Sequence, residues 1–181
     1  MNTRDAWALF NNSDLLFGEH EIALAFDRVA SEITALLADR LPLVLTVMNG
    51  GVVFAGQLLP RLAFPLDCDY LHATRYRDTT VGSGINWCAL PHKAVEGRSI
   101  LVLDDILDEG ITLAAIRAKL LEMGAAEVWI AVLAEKALAH AKPVRADFVG
   151  LTVPDRYVFG MGMDAYGLWR NLPGIYAIKG D

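Results

Sequence analysis

Two adjacent carboxylates close an apolar run in this chain. Ile100, Leu101, Val102 and Leu103 lead directly into Asp104 and Asp105; after Ile106 and Leu107 come Asp108, Glu109, Gly110, Ile111 and Thr112. The end of a buried strand is a costly place for an acidic pair unless a cation or hydroxyl groups compensate it. Adjacent acids suit the two hydroxyls of a ribose and a metal held beside them. The stretch from Asp108 to Thr112 opens a helix, and its backbone N–H groups with the helix dipole make an anion site. Gly110 permits close backbone approach and Thr112 adds a hydroxyl donor. One segment thus offers a ribose-and-metal half and a phosphate half. The plainer alternative is a strand, a solvated acidic turn and a capped helix. A Rossmann-type site is disfavoured because Gly-x-Gly-x-x-Gly is absent.

A second candidate is Asn49-Gly50-Gly51, directly after another apolar run. It reads either as a strand-end loop offering main-chain donors or as an ordinary Asn-Gly-Gly turn. The four histidines, His20, His72, His92 and His140, have no ligand spacing, and Cys68 and Cys88 form no CxxC pair. A zinc or redox centre is not expected.

The elements that must position these residues follow from periodicity. Apolar side chains at Ile22, Phe26, Val29, Ile33, Leu36 and Leu37 predict a helix over 22–37. Residues 43–48 read as a buried strand, 52–62 as a helix, 68–73 as a strand and 74–84 as a polar loop. A strand over 99–103, a helix over 113–123 capped by Gly124, and a strand over 127–133 follow. Short strands are predicted at 148–153, 157–160 and 175–178. Helix-to-strand alternation predicts an α/β fold with a parallel-stranded central sheet flanked by helices. Ligands of such sheets bind at the carboxyl ends of the strands, where both candidate segments sit.

Composition narrows the function classes. With 54% hydrophobic and 21% charged residues among 181, a packed globule is expected, read as one domain over 1–181. A net charge of −6 argues against a broad nucleic-acid surface but not against a small anion. No apolar run is long enough to span a bilayer, and Met1 to Asp5 lack a signal-peptide pattern, so a cytoplasmic protein without a membrane partner is expected.

The segment around Asp104 resembles the phosphoribosyl pyrophosphate signature of the type I phosphoribosyltransferases: strand, two acids, two apolar residues, then acid-x-Gly-x-Thr. The middle x is usually Thr and here is Glu109, whose side chain must therefore point away from the phosphate. Flanking stretches resemble the hypoxanthine-guanine branch in matched order. Val47-Met48-Asn49-Gly50-Gly51-Val52 is similar to its pyrophosphate loop, in which the bond between the positions of Asn49 and Gly50 can be cis. Arg75-Tyr76 matches a lid that closes over the reaction centre, usually Ser-Tyr in the family. Arg145-Ala146-Asp147-Phe148-Val149-Gly150, then Tyr157, Val158, Asp164 and Arg170, resemble its purine-binding end.

The resemblance implies a fold with a small hood built from the chain ends. It also implies transfer of the phosphoribosyl group of phosphoribosyl pyrophosphate to hypoxanthine or guanine, with Mg²⁺. Asn49, Gly50, Gly51, Asp104, Asp105, Asp108, Glu109, Gly110, Ile111, Thr112 and Arg170 would then hold phosphoribosyl pyrophosphate, Asp108 being the general base. Asp104, Asp105 and Asp164 would face the metal. Arg145 would donate to the purine O6, where the branch usually has Lys, with Tyr157 stacking on the base and Val158 reading its exocyclic edge beside Asp164. Lys142 and Arg156 read equally well as solvated surface charges. A homodimer or homotetramer is implied, with Trp7, Phe10, Leu15, Leu16, Phe17 or the 52–62 helix partly at an interface. A xanthine-preferring enzyme is the nearest alternative. A non-catalytic sensor of phosphoribosyl pyrophosphate acting on nucleic acid is a further one, which the absence of a basic face disfavours.

Overall fold

A computed structural model describes residues 1–75 and 84–180. In chain order the elements are α1 (Thr3–Asn11), β1 (Ser13–Phe17), α2 (Glu19–Leu37), β2 (Leu43–Val47), α3 (Gly51–Leu58), a 3₁₀ turn (Leu59–Arg61), β3 (Asp67–Arg75), β4 (Ile85–Ala89), β5 (Ser99–Leu107), α4 (Ile111–Glu122), β6 (Glu127–Lys136), β7 (Phe148–Val153), β8 (Val158–Phe159) and β9 (Ile175–Ile178).

Six strands form the central sheet in the order β4-β3-β2-β5-β6-β7, and a separate three-stranded sheet has the order β1-β9-β8. All central pairings are parallel except β3 with β4. The expected parallel-stranded sheet flanked by helices is therefore present, and so is the hood made from the chain ends.

Burial on both faces explains why the middle strands read as unbroken apolar runs. Alternate residues of β5 serve opposite faces: Leu101 and Leu103 join the core under α2 and α3, while Ile100 and Val102 join the core under α4. Helix α2 begins earlier than its apolar periodicity, at Glu19, because a polar first turn is held by the Gly18 N–H donating to Glu21 Oε2 at 2.9 Å. The helix expected over 52–62 gives way to the 3₁₀ turn carrying Pro60, which cannot donate within an α-helix. Strand β6 runs three residues beyond the expected end, to Lys136.

The hood is tied together over long sequence distances. Arg156 donates to Asp14 Oδ2 and to the Ile178 carbonyl, both at 2.8 Å, joining β1 to β9. Helix α1, which periodicity alone does not predict, docks on it through aromatic rings. Phe10 stacks on Trp169 at 5.4 Å and meets Tyr176 edge-on at 5.1 Å, and Trp7 meets Trp169 at 5.1 Å. Of the residues expected at an interface, Trp7 and Leu15 are exposed, whereas Leu16 and Phe17 pack against the core. No helix among the described residues is long and apolar enough to cross a membrane.

Candidate active site

The carboxyl ends of β2, β3, β5 and β6 open on a cleft of about 830 Å³, whose far wall is the hood. That volume suits a ligand of nucleotide size. Asn49, Gly50, Arg75, Asp104, Asp105, Asp108 to Thr112, Tyr157, Val158, Asp164 and Arg170 all line it. Residues more than a hundred positions apart in sequence are thus brought together as expected.

Asp104 and Asp105 lie in the second half of β5 and are both buried. Asp104 Oδ1 accepts from the Asp105 N–H at 3.0 Å, and Asp105 Oδ1 accepts from the Ile106 N–H at 2.8 Å. Burial, then the negative charge of Asp105, pushes the Asp104 carboxyl well above the usual carboxylate range. Burial also raises Asp105, against the hydrogen bond from Asp104 and the attraction of Arg170. The backbone crowds this pair: a Cβ on Gly50 would fall inside the Asp105 carboxylate, and one on Gly162, at φ +106°, would strike the Gly50 carbonyl. Only glycine permits these approaches.

Arg170 reaches across from the hood. It donates to the Gly162 carbonyl at 2.6 Å and to Asp164 Oδ1 at 2.7 Å, and lies 3.8 Å from Asp105 Oδ2. Asp164 Oδ2 also accepts from the Gly167 N–H at 2.7 Å. Asp104, Asp105 and Asp164, the residues expected to face the metal, all line the cleft. Among the described residues no three carboxylate, histidine or cysteine side chains converge on a metal position, and Arg170 is salt-bridged to Asp164 on one side and Asp105 on the other. The two buried carboxylates could serve as hard-oxygen partners for a cation that brings its own further ligands, as Mg²⁺ does with a polyphosphate.

The segment from Asp108 to Thr112 lines the cleft at the start of α4. Gly110 caps α4 in the left-handed region at φ +78°. The first residues of that helix, Ile111, Thr112 and Leu113, line the cleft, and their N–H groups have no intrahelical acceptors. Glu109 Oε2 lies 3.0 Å from His140 Nε2, so its charge is directed toward the β6–β7 connection. The cis peptide lies between Met48 and Asn49, one bond earlier than expected.

Arg145 does not reach this cleft. It is exposed, outside the lining, in the segment that precedes β7. Its neighbour Asp147 accepts from the Ile130 N–H at 2.8 Å, in the middle of β6. From residue 130 to the cleft end at residue 136 is six residues, roughly 20 Å of strand. The cation that the end of β6 brings to the cleft is Lys136, the last residue of that strand, with a side chain 14% exposed and its ammonium 3.0 Å from Asp108 Oδ1. The signal for it was available: Glu135-Lys136 follows the apolar run of β6 as Asp104-Asp105 follows that of β5.

Tyr157 presents its ring at the cleft and stacks at 5.8 Å and 11° on Tyr166, a second aromatic that the sequence reading did not include. Met163 also lines the site. Arg75 ends β3 at the rim; Tyr76, the other lid residue, lies outside the described residues.

Comparison with known proteins agrees with this geometry. Residues 14–166 match the phosphoribosyl transferase domain family. The chain is 32% identical over 166 residues to a hypoxanthine-guanine phosphoribosyltransferase of Bacillus subtilis (strain 168), covering 91% of this chain and 92% of that one. It is 30% identical over 166 residues to a hypoxanthine-guanine-xanthine phosphoribosyltransferase of Tritrichomonas foetus, covering 91% of each. A solved hypoxanthine-guanine-xanthine phosphoribosyltransferase superposes with a TM-score of 0.81 at 28% identity, over 94% of this chain and 97% of that one. With the strand-end diacid, the glycine-capped helix and the hood in their places, the chain belongs to the phosphoribosyltransferase family, in its hypoxanthine-guanine branch.

Proposed function

We propose that this chain is a purine-salvage enzyme that transfers the phosphoribosyl group of phosphoribosyl pyrophosphate to hypoxanthine or guanine and releases pyrophosphate. The observation that carries this reading is the Lys136–Asp108 pair, at the ends of adjacent strands, in a cleft that Tyr157 and the first residues of α4 also line.

The residues divide the work. The loop from Glu109 to Thr112 and the α4 dipole hold the 5′-phosphate. Asp104 and Asp105 face the ribose hydroxyls, and a cation held beside them would favour their ionised forms. Mg²⁺ bound beside them would neutralise charge on the departing pyrophosphate. The Gly50 and Gly51 backbone and Arg170 orient and stabilise the same leaving group. Tyr157, backed by Tyr166, stacks on the purine, and Val158 offers its backbone to the exocyclic edge. Lys136 donates to O6. As N9 attacks C1′ and the bond from C1′ to pyrophosphate oxygen breaks, the N7 proton passes to the Asp108 carboxylate. Adenine is excluded because its 6-amino group meets a donor that cannot accept.

The test is nucleotide formation from phosphoribosyl pyrophosphate with hypoxanthine, guanine, xanthine and adenine in parallel. IMP and GMP formation without AMP is the expected result. Preferential XMP formation would establish the xanthine reading, and binding without turnover of any base would sink the enzymatic one. We also propose a cytoplasmic homo-oligomer, on the strength of exposed Trp7, Leu15 and Val52; a monomer by light scattering at micromolar concentration would refute the assembly.

A further inference from the structure

Resting on the roles just proposed for Asp108 and Lys136, we infer that Lys142 is a positioning residue that sets the distance between them. Its side chain is only 9% exposed. Its ammonium donates to the Leu107 carbonyl at 3.1 Å, to the Lys136 carbonyl at 2.6 Å and to Glu135 Oε1 at 3.2 Å. These acceptors lie where the β5–β6 ladder stops, its last pair being Leu107 and Glu135. Beyond that pair no ladder bond fixes the two strands, yet the residues with chemistry, Asp108 and Lys136, sit at that boundary. The ammonium has three donors and three acceptors, so every hydrogen is used. It crosslinks the peptide that carries Asp108 to the carbonyl of Lys136 itself. The aliphatic stem covers Gly110, where a Cβ would meet Lys142 Cβ at 3.4 Å, so the phosphate loop is packed under the same side chain. A surface lysine would be solvated and mobile; this one exchanges its hydration for three fixed acceptors, and the charge is balanced by Glu135.

Removing the ammonium leaves two carbonyls without their donor and frees the strand ends to separate. Misplacement of reacting groups by about 1 Å can cost roughly a hundredfold in rate. Lys142→Met keeps the stem and removes the charge. It is expected to lower kcat/KM for hypoxanthine by about ten- to a hundredfold at a temperature well below its melting point. Lys142→Arg, which supplies several donors, is expected to recover most of that loss. In an Asp108→Asn background the loss caused by Lys142→Met is expected to be at least threefold smaller than in the parent, because residues acting through one another are not additive. Lys142→Gln replaces the Met variant if the latter does not fold. An active parent whose Lys142 variants stay within twofold of it overturns this inference alone, as does a loss of equal size with and without Asp108. A parent inactive with every base overturns the functional reading and this inference with it.

Discussion

Replacing Lys136 by Met separates the two cations that could serve the purine O6. The ammonium lies 3.0 Å from Asp108 Oδ1 inside the cleft, on a side chain 14% exposed. A hydrogen bond to a charged group contributes about 1.5–3 kcal/mol. At about 1.4 kcal/mol per tenfold, its loss corresponds to a roughly 10- to 150-fold fall in kcat/KM for hypoxanthine and guanine. Stability should change far less. Asp108 is 49% exposed and can be rehydrated when its partner goes, so the pair contributes at most about 1 kcal/mol to folding. The hypoxanthine-to-adenine ratio should fall with the 6-oxopurine rate. Arg145→Ala, at an exposed position outside the cleft, should stay within about 0.5 kcal/mol, or about twofold, for every base. Initial rates with the four bases, for the parent and both variants, decide it. If Arg145→Ala carries the large loss and Lys136→Met is silent, the assignment of the O6 donor to β6 is wrong.

Three further outcomes are expected. Asp108→Asn should reduce kcat by about 10²–10⁴-fold while phosphoribosyl pyrophosphate still binds, as measured by calorimetry; near-normal kcat with chemistry rate-limiting would remove Asp108 as the base. EDTA should abolish turnover and added Mg²⁺ restore it, and undiminished turnover in chelated buffer would exclude the cation from the reaction. In cation-free buffer Asp104→Asn should raise the melting temperature at pH 8 more than at pH 4. Both carboxyls titrate above their ordinary range in the folded chain, so the folded state holds protons that the unfolded state has released. That preference favours folding below the unfolded pKa and is lost as pH rises through the folded values. A gap between variant and parent that shrinks with pH would contradict this.

The phosphate half of the site was legible because its information is local. An apolar run, two acids, a glycine and a hydroxyl residue within thirteen positions define strand, turn and helix together, and the structure reproduces that order from Ile100 to Thr112. The purine half was not, because it depends on where strands end. Position 145 lies next to a recognisable Asp-Phe-Val-Gly stretch, and nearness in sequence suggested it as the O6 donor. Only the β6–β7 register, which aligns Phe148 with Ala131 and Val153 with Lys136, puts the start of β7 far from the cleft and the end of β6 beside it. The hood escaped periodicity for a related reason. β1 pairs with β9 across the whole chain, Ser13 against Ile178, and α1 finds its partners in Trp169 and Tyr176. Such elements are stabilised by contacts that no local window contains.

The buried diacid is where local expectations and the fold conflict, and the conflict indicates what the site is for. Burial disfavours charge at both Asp104 and Asp105, and the charge of Asp105 adds to this at Asp104. The only cation near them, among the described residues, is Arg170, and at 3.8 Å from Asp105 it is closer to Asp164. A structural ion pair would have been built with shorter contacts and a full complement of donors. The site instead holds two carboxylates short of positive charge, at the carboxyl ends of parallel strands and next to a helix N-terminus that is short of negative charge. A ligand carrying both a bound cation and phosphate groups relieves the two deficits at once, which neither a free anion nor a bare cation can do. Under the proposed function, a metal-bound pyrophosphate ester of ribose would bring both charges to this one place.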